Sequence, residues 1–248
     1  MLDLLPWLII AAFVVGLGKG GISSAAALAV PFLAIVMNPV AAAALLLPIF
    51  IVTDVVAVWV YRRDYSSRNI VILVPSILGG IVLAAILVSY LPEAALLLFT
   101  GFVGIWAATR SWLRRRREAA AKKADLAPGI FWGIITGVTT FVTHSGAPPT
   151  QAYLLPQRLP RLIFAGTMAI TFAIGNLAKL PGYYSLGYFD GLDWPLIFGL
   201  TAVGIAGTAV GRWLIQRLSD TAFTRLIEIT LALLSLVLFW KAATLIWA

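Results

Sequence analysis

The chain has no cysteine, one histidine and few charges, 18 basic and 10 acidic residues among 248. Without cysteine there is no disulfide framework, no thiolate metal site and no cysteine nucleophile. One histidine makes a transition-metal site unfavourable, so neither a metal nor an organic cofactor is expected. Charged residues are 11% of the chain, whereas a soluble domain carries about 25%. So few charges cannot cover a water-exposed surface, which excludes a soluble globular protein. Disorder is excluded too, because 61% of the residues are hydrophobic and disorder requires the opposite. What remains is an all-α polytopic membrane protein, expected in a bacterial inner or plasma membrane. The first residues, Met1 to Pro6, carry Asp3 and no basic residue, unlike a cleaved signal peptide.

The net charge is +8, but its distribution argues against nucleic acid as a partner. Seven of the 18 basic residues lie between Arg110 and Lys123, and most others flank apolar segments. That pattern belongs to topology determinants beside membrane lipids. The candidate membrane segments are Leu4–Met37, Pro39–Tyr61, Asn69–Tyr90, Ala94–Trp112, Ala127–Pro156, Leu162–Tyr184, Trp194–Ile215 and Phe223–Trp247. They divide the chain into an N-terminal repeat (1–113), a basic cytoplasmic linker (114–126) and a C-terminal repeat (127–248).

Two segments have the wrong length. Leu4–Met37 is 34 residues, about 51 Å as one helix and too long for a single upright crossing of a core about 30 Å thick. Ala127–Pro156 has the same problem. Gly16-Leu17-Gly18-Lys19-Gly20-Gly21 interrupts the first and His144-Ser145-Gly146-Ala147-Pro148-Pro149 the second. Glycine and proline break helices, so each segment is expected to form two half-helices around an unwound loop. Positive charge favours re-entrant hairpins over discontinuous spans. If Ala127–Pro156 turned back, Arg158, Arg161, Arg212, Arg217 and Arg225 would all lie inside, with the uncharged-by-Lys/Arg loop Tyr183–Asp193 outside. Each half would then hold one hairpin and three crossings, and the odd number inverts one half relative to the other. An offset of 125 residues aligns Gly21 with Gly146, Ala27 with Ala152, Pro31 with Pro156, Ala44 with Ala169 and Ile49 with Ile174. Inverted repeats with broken helices are a secondary-transporter signature.

Unwound backbone inside a membrane must be buried in protein or line a water-filled cavity, so the two loops mark a pathway. Gly20, Gly21 and Gly146 allow close approach of a ligand to the backbone, and half-helix N-termini suit an anion. Ser23, Ser24, Thr143, Ser145 and Gln151 could donate to that ligand, or could pack helices together. Ionisable residues inside apolar segments are costly and usually functional. Lys19 lies in the first loop; its alternative is to snorkel to an interface. Lys179 lies deep in Leu162–Tyr184, with snorkelling toward the outer face as its alternative, and Asn176 shares its helical face. Asp54 is the repeat equivalent of Lys179 and is expected to pair with it, or each meets water or a polar neighbour. His144 could couple protons, as could Asp54, or could be a neutral histidine that fixes its loop. Glu228 is expected at an interface.

These residues resemble a known family. Gly16-Leu17-Gly18-Lys19-Gly20-Gly21 followed by Pro31 is similar to the first signature of the TauE/SafE sulfite exporter family, the TSUP transporters. The second signature is matched by Gly133-Ile134-Ile135-Thr136-Gly137, His144-Ser145-Gly146-Ala147-Pro148, Tyr153-Leu154 and Gly166-Thr167, continuing through Lys179, Tyr184 and Gly187. His144-Ser145-Gly146 departs from the family's commoner glycine run. The resemblance implies transport of small sulfur-containing anions, sulfite or organosulfonates such as sulfoacetate. The expected mechanism is alternating access around a site between the loops that includes Lys19, Gly20, Gly21, Ser23, Ser24, Thr143, His144, Ser145, Gly146, Gln151, Asn176 and Lys179. An anion channel, or a permease for another small organic anion, is the alternative. An enzyme is disfavoured, because His144 and Ser145 are adjacent and lack an acidic third member, so no catalytic residue is expected. A homo-oligomer is left open.

Overall fold

The computed structural model describes residues 4–19, 25–114, 122–215 and 220–247. The described residues are 84% helical and contain no strand. Ten α-helices follow in order: α1 (Leu5–Lys19), α2 (Ala29–Leu33), α3 (Pro39–Tyr61), α4 (Ser67–Val88), α5 (Glu93–Arg114), α6 (Leu126–Thr143), α7 (Ala147–Leu154), α8 (Arg161–Ser185), α9 (Trp194–Ile215) and α10 (Asp220–Trp247). Five of them contain stretches long and apolar enough to cross a membrane: α3, α4, α6, α8 and α9. The chain is a multi-pass membrane protein.

Local signals set the helix ends. Asn38 caps α3 by accepting from the backbone of Val40 and Ala41, with Pro39 at the first helical position. Ser66 caps α4. His144 closes α6 in the left-handed conformation, φ 52°, its N–H returning to the Thr140 carbonyl. That is the usual way to stop a helix, in a place more often given to glycine.

The chain then turns back. Tyr153 near the end of α7 donates its hydroxyl to the Asp125 carbonyl, 3.1 Å away, just before α6 begins. The backbone N–H of Lys122 donates to the Pro156 carbonyl at 2.8 Å. Both feet of the α6–α7 hairpin therefore stand at one end of the bundle, beside Asn69, which exchanges hydrogen bonds with Gln157. α6 has the length of a crossing, yet the chain after it returns to the end from which α6 started. The α1–α2 hairpin has its feet together too, with the rings of Trp7 and Phe32 in tilted contact 4.9 Å apart. These feet stand at the opposite end, where α3 begins and Lys241 of α10 donates to the Ala34 carbonyl.

Helix pairing follows small residues. α4 and α6 run parallel in close contact: a Cβ on Gly80 would overlap the Ile134 carbonyl, and one on Gly137 would overlap that of Ile77. α1 and α9 also run parallel, with Gly16 against the Gly204 carbonyl and Gly207 against that of Phe13. Backbones approach this closely only where side chains are nearly absent. Gly16 and Gly18, expected in the first break, are instead helical and buried. α3 and α8 run antiparallel: Tyr61 lies beside Gly166, and Asp54 bonds Asn176. α5 and α10 pack together as well, with Glu93 at the start of α5 near Lys241 toward the end of α10.

Candidate anion site

The C-terminal ends of α1 and α6 come from opposite ends of the bundle and reach one cavity of about 350 Å³. Lys19, the last residue of α1, and His144, the residue that caps α6, both line it. Asn176 and Thr140 complete its polar wall. The remaining wall is apolar, with Phe50, Phe164, Met168 and Phe172 as its bulky members. The cavity extends to Tyr61 and Ala165, where α3 ends and α8 begins. Away from that end the packing is closed: Tyr183 is fully buried, donates to the Phe141 carbonyl, and meets Tyr188 and Phe189 edge-on.

The Lys19 ammonium forms an ion pair with Asp54 Oδ1 on α3, and Asn176 Nδ2 donates to Asp54 Oδ2. Both carboxylate oxygens are thereby engaged. Lys19 keeps 18% of its side chain exposed while Asp54 keeps 3%, so the cation faces the cavity and the carboxylate stands behind it. The expected Asp54–Lys179 pair is replaced by this arrangement. Lys179 donates to the Thr140 carbonyl and Thr140 Oγ1, both at 3.1 Å, and lies 2.7 Å from His144 Nδ1. It has no exposed surface, so it does not snorkel. An ammonium has three N–H donors, and three acceptors meet them here.

The same contacts fix the histidine. Its Nε2 lies 2.7 Å from the Ala43 carbonyl, which can only accept, so Nε2 carries the proton. Nδ1 is then free to accept from Lys179, and the imidazole is neutral. The ring stacks on Phe50, centroids 4.3 Å apart. The other side of the link is Lys19, whose Nζ lies 5.3 Å from the same Phe50 centroid. One phenyl ring thus joins the ends of α1 and α6.

Of the residues expected in the site, Lys19, His144 and Asn176 line the cavity together, with Asp54 directly behind Lys19 and Lys179 directly behind His144. Thr143, Ser145, Gly146 and Gln151 are not among its lining residues. Thr143 Oγ1 instead donates to the Thr139 carbonyl, Ser145 bonds back to Thr143, and Gly146 is packed against Phe172 and Thr140. Gln151 is half-buried on α7. Gly20, Gly21, Ser23 and Ser24 lie outside the described residues, as does the Glu228 side chain. Phe50 and Thr140 were not anticipated. Thr140 was within reach of sequence reasoning, because it stands one helical turn before His144 and faces the same way.

Comparison with curated proteins and with solved structures gives no match. The family model described as sulfite exporter TauE/SafE matches residues 8–238, most of the chain and both hairpins. The chain belongs to the TauE/SafE sulfite exporter family, a family of membrane transporters and not of enzymes.

Proposed function

We propose that the protein is a secondary transporter of small sulfur-containing anions, sulfite or organosulfonates, working by alternating access around the cavity between the hairpin tips. The observation that carries this is Lys19. A part-exposed ammonium on a broken helix, facing a cavity inside the bundle, is expensive in a membrane and of use mainly to an anion. Asn176, Thr140 and His144 supply polar neighbours. Phe50, Phe164, Met168 and Phe172 give an apolar wall that suits the carbon end of an organosulfonate better than a bare inorganic ion.

Two inverted repeats, 1–113 and 127–248 joined by the basic segment 114–126, would provide the moving parts. Support comes from the helix pairs. Exchanging the halves turns the α1–α9 pair into α6–α4, and the α3–α8 pair onto itself with its members antiparallel. It also comes from the charged contacts: Lys19 meets Asp54 and His144 meets Lys179 across the same interval of 35 residues. The cavity reaches the end bearing Arg62, Arg63 and Arg158, which the positive-inside rule places in the cytoplasm. The Tyr183 side is closed, as an inward-open carrier requires. A bacterial plasma membrane is the expected location. Protons would be coupled through Asp54 or His144.

Counterflow in proteoliposomes tests the assignment. Lys19→Ala is expected to abolish saturable exchange of sulfite and small sulfonates while the protein still purifies folded. Equal exchange by parent and variant would remove Lys19 from the site. Conductance without counterflow would instead favour the channel alternative.

A further inference from the structure

The two halves place different chemistry at equivalent positions. In the second half, Lys179 is buried, and its three N–H groups all have neutral acceptors. That cation is fixed and out of reach of the cavity. In the first half, the equivalent contact joins Lys19 to a carboxylate, and Lys19 lines the cavity. Among the described residues, an anion entering the cavity therefore meets one available cation, and Asp54 already occupies it.

From this we infer that Asp54 is a built-in counter-anion that competes with the substrate for Lys19, and that one proton carried on Asp54 accompanies each monoanion. This rests on the cavity being the anion site. In the empty carrier, Lys19 and Asp54 cancel. A substrate anion that takes Lys19 leaves the Asp54 carboxylate buried without its cation, which low-polarity surroundings penalise heavily. A proton from the water in the cavity adds to a carboxylate oxygen and relieves that penalty. The carboxylate becomes a neutral acid, still able to accept from Asn176. The Lys19 ammonium keeps its own proton and pairs with the substrate. Empty and loaded sites then carry the same net charge, so both can reorient across the membrane alike, and the cycle moves one anion and one proton together.

The groups facing Asp54 are consistent with a single titrating site. Lys19 comes from α1, Lys179 and Asn176 from α8, and His144 from α6, with Tyr61 farther along the cavity wall. α2, α5 and α9 also pack on α3; α2 contains no titratable residue, and those of α5 (Glu93, Arg110, Arg114) and α9 (Arg212) stand near the helix ends. His144 is committed at both ring nitrogens, to Ala43 and Lys179. It is a positioning residue that holds Lys179, not the proton carrier.

Methanesulfonate is the appropriate probe, because it stays ionised across the usable pH range, with propanesulfonate and sulfite alongside it. In proteoliposomes the wild-type protein is expected to accumulate methanesulfonate against its gradient when an inward proton gradient is imposed. Proton and anion fluxes should be one to one, and the rate should not change with clamped membrane potential. Methanesulfonate binding should weaken as the pH rises, by up to about tenfold per pH unit, as uptake of one proton requires. Asp54→Asn keeps the shape and a hydrogen-bond acceptor for Lys19. Whatever anion exchange it supports is expected to lose the pH dependence of binding and to become sensitive to membrane potential. Proton-driven accumulation by Asp54→Asn at the wild-type level would overturn the inference, as would wild-type flux without protons. Should Asp54→Asn fail to fold, the wild-type proton-to-anion ratio decides alone. If no anion of the three binds or exchanges in the wild-type protein, the cavity is not their site and the inference falls with it.

Discussion

His144 Nδ1 accepts from Lys179 at 2.7 Å, and the lysine has no exposed surface. A buried ammonium without a carboxylate contact depends on each of its neutral acceptors. His144→Ala removes one of three and is expected to cost about 1–3 kcal/mol, the penalty of a buried donor left unpaired. The double variant His144→Ala/Lys179→Met removes donor and acceptor together, and its cost should be smaller than the sum of the His144→Ala and Lys179→Met costs. Thermal unfolding in detergent measures this cycle. Strictly additive losses would mean that the two side chains are not coupled.

The glycine contacts make a second, independent prediction. A Cβ at Gly80 would overlap the Ile134 carbonyl and lie 2.9 Å from Gly137 Cα, whereas a Cβ at neighbouring Gly79 would meet nothing within 4 Å. Neither helix backbone can give way without separating α4 from α6. Gly80→Ala is therefore expected to destabilise by about 1–3 kcal/mol, as overpacking does. Gly79→Ala is expected to stabilise by about 0.5–1 kcal/mol through the unfolded chain and helix propensity. Two adjacent glycines with opposite signs, read as melting temperatures, test the helix packing without any transport assay. The same sign at both positions would contradict it.

Much of this was legible from the chain because membrane constraints are strict. Segments of the wrong length, broken by His144-Ser145-Gly146, had to turn or line a cavity, and the basic residues favoured turning. The partners of the buried charges were harder to read. The offset of 125 residues sets Asp54 opposite Lys179, and opposite charges invite pairing across the halves. Instead Lys19 pairs with Asp54 and Lys179 meets His144, each within its own half of the sequence, and Asp54 reaches the other half through Asn176. Lysine with histidine looks unfavourable from sequence, since both are written as bases. It becomes favourable only when the Ala43 carbonyl holds the proton on Nε2 and leaves Nδ1 as an acceptor. Gly16 and Gly18 lie in α1 and not in the expected break for a similar reason. Glycine that ends a helix and glycine that lets two helices touch have the same sequence signature, and only the neighbour, here α9 for Gly16, distinguishes them.

The absence of native cysteine makes the topology directly testable by single-cysteine labelling with an impermeant maleimide. Ser67 and Pro160 are exposed at the end bearing the α6–α7 hairpin feet, and Ser89 and Ser185 are exposed at the other end. Ser67→Cys and Pro160→Cys are expected to label only from the cytoplasmic side. Ser89→Cys and Ser185→Cys are expected to label only from outside. Pro160 is the decisive position, because it follows the hairpin by a few residues. A hairpin that returns puts it with Ser67, whereas a discontinuous span puts it with Ser89. External labelling of Pro160→Cys, with Ser67→Cys still internal, would show that α6 and α7 cross the membrane and that the second half is not inverted in the way its α3–α8 pairing supports.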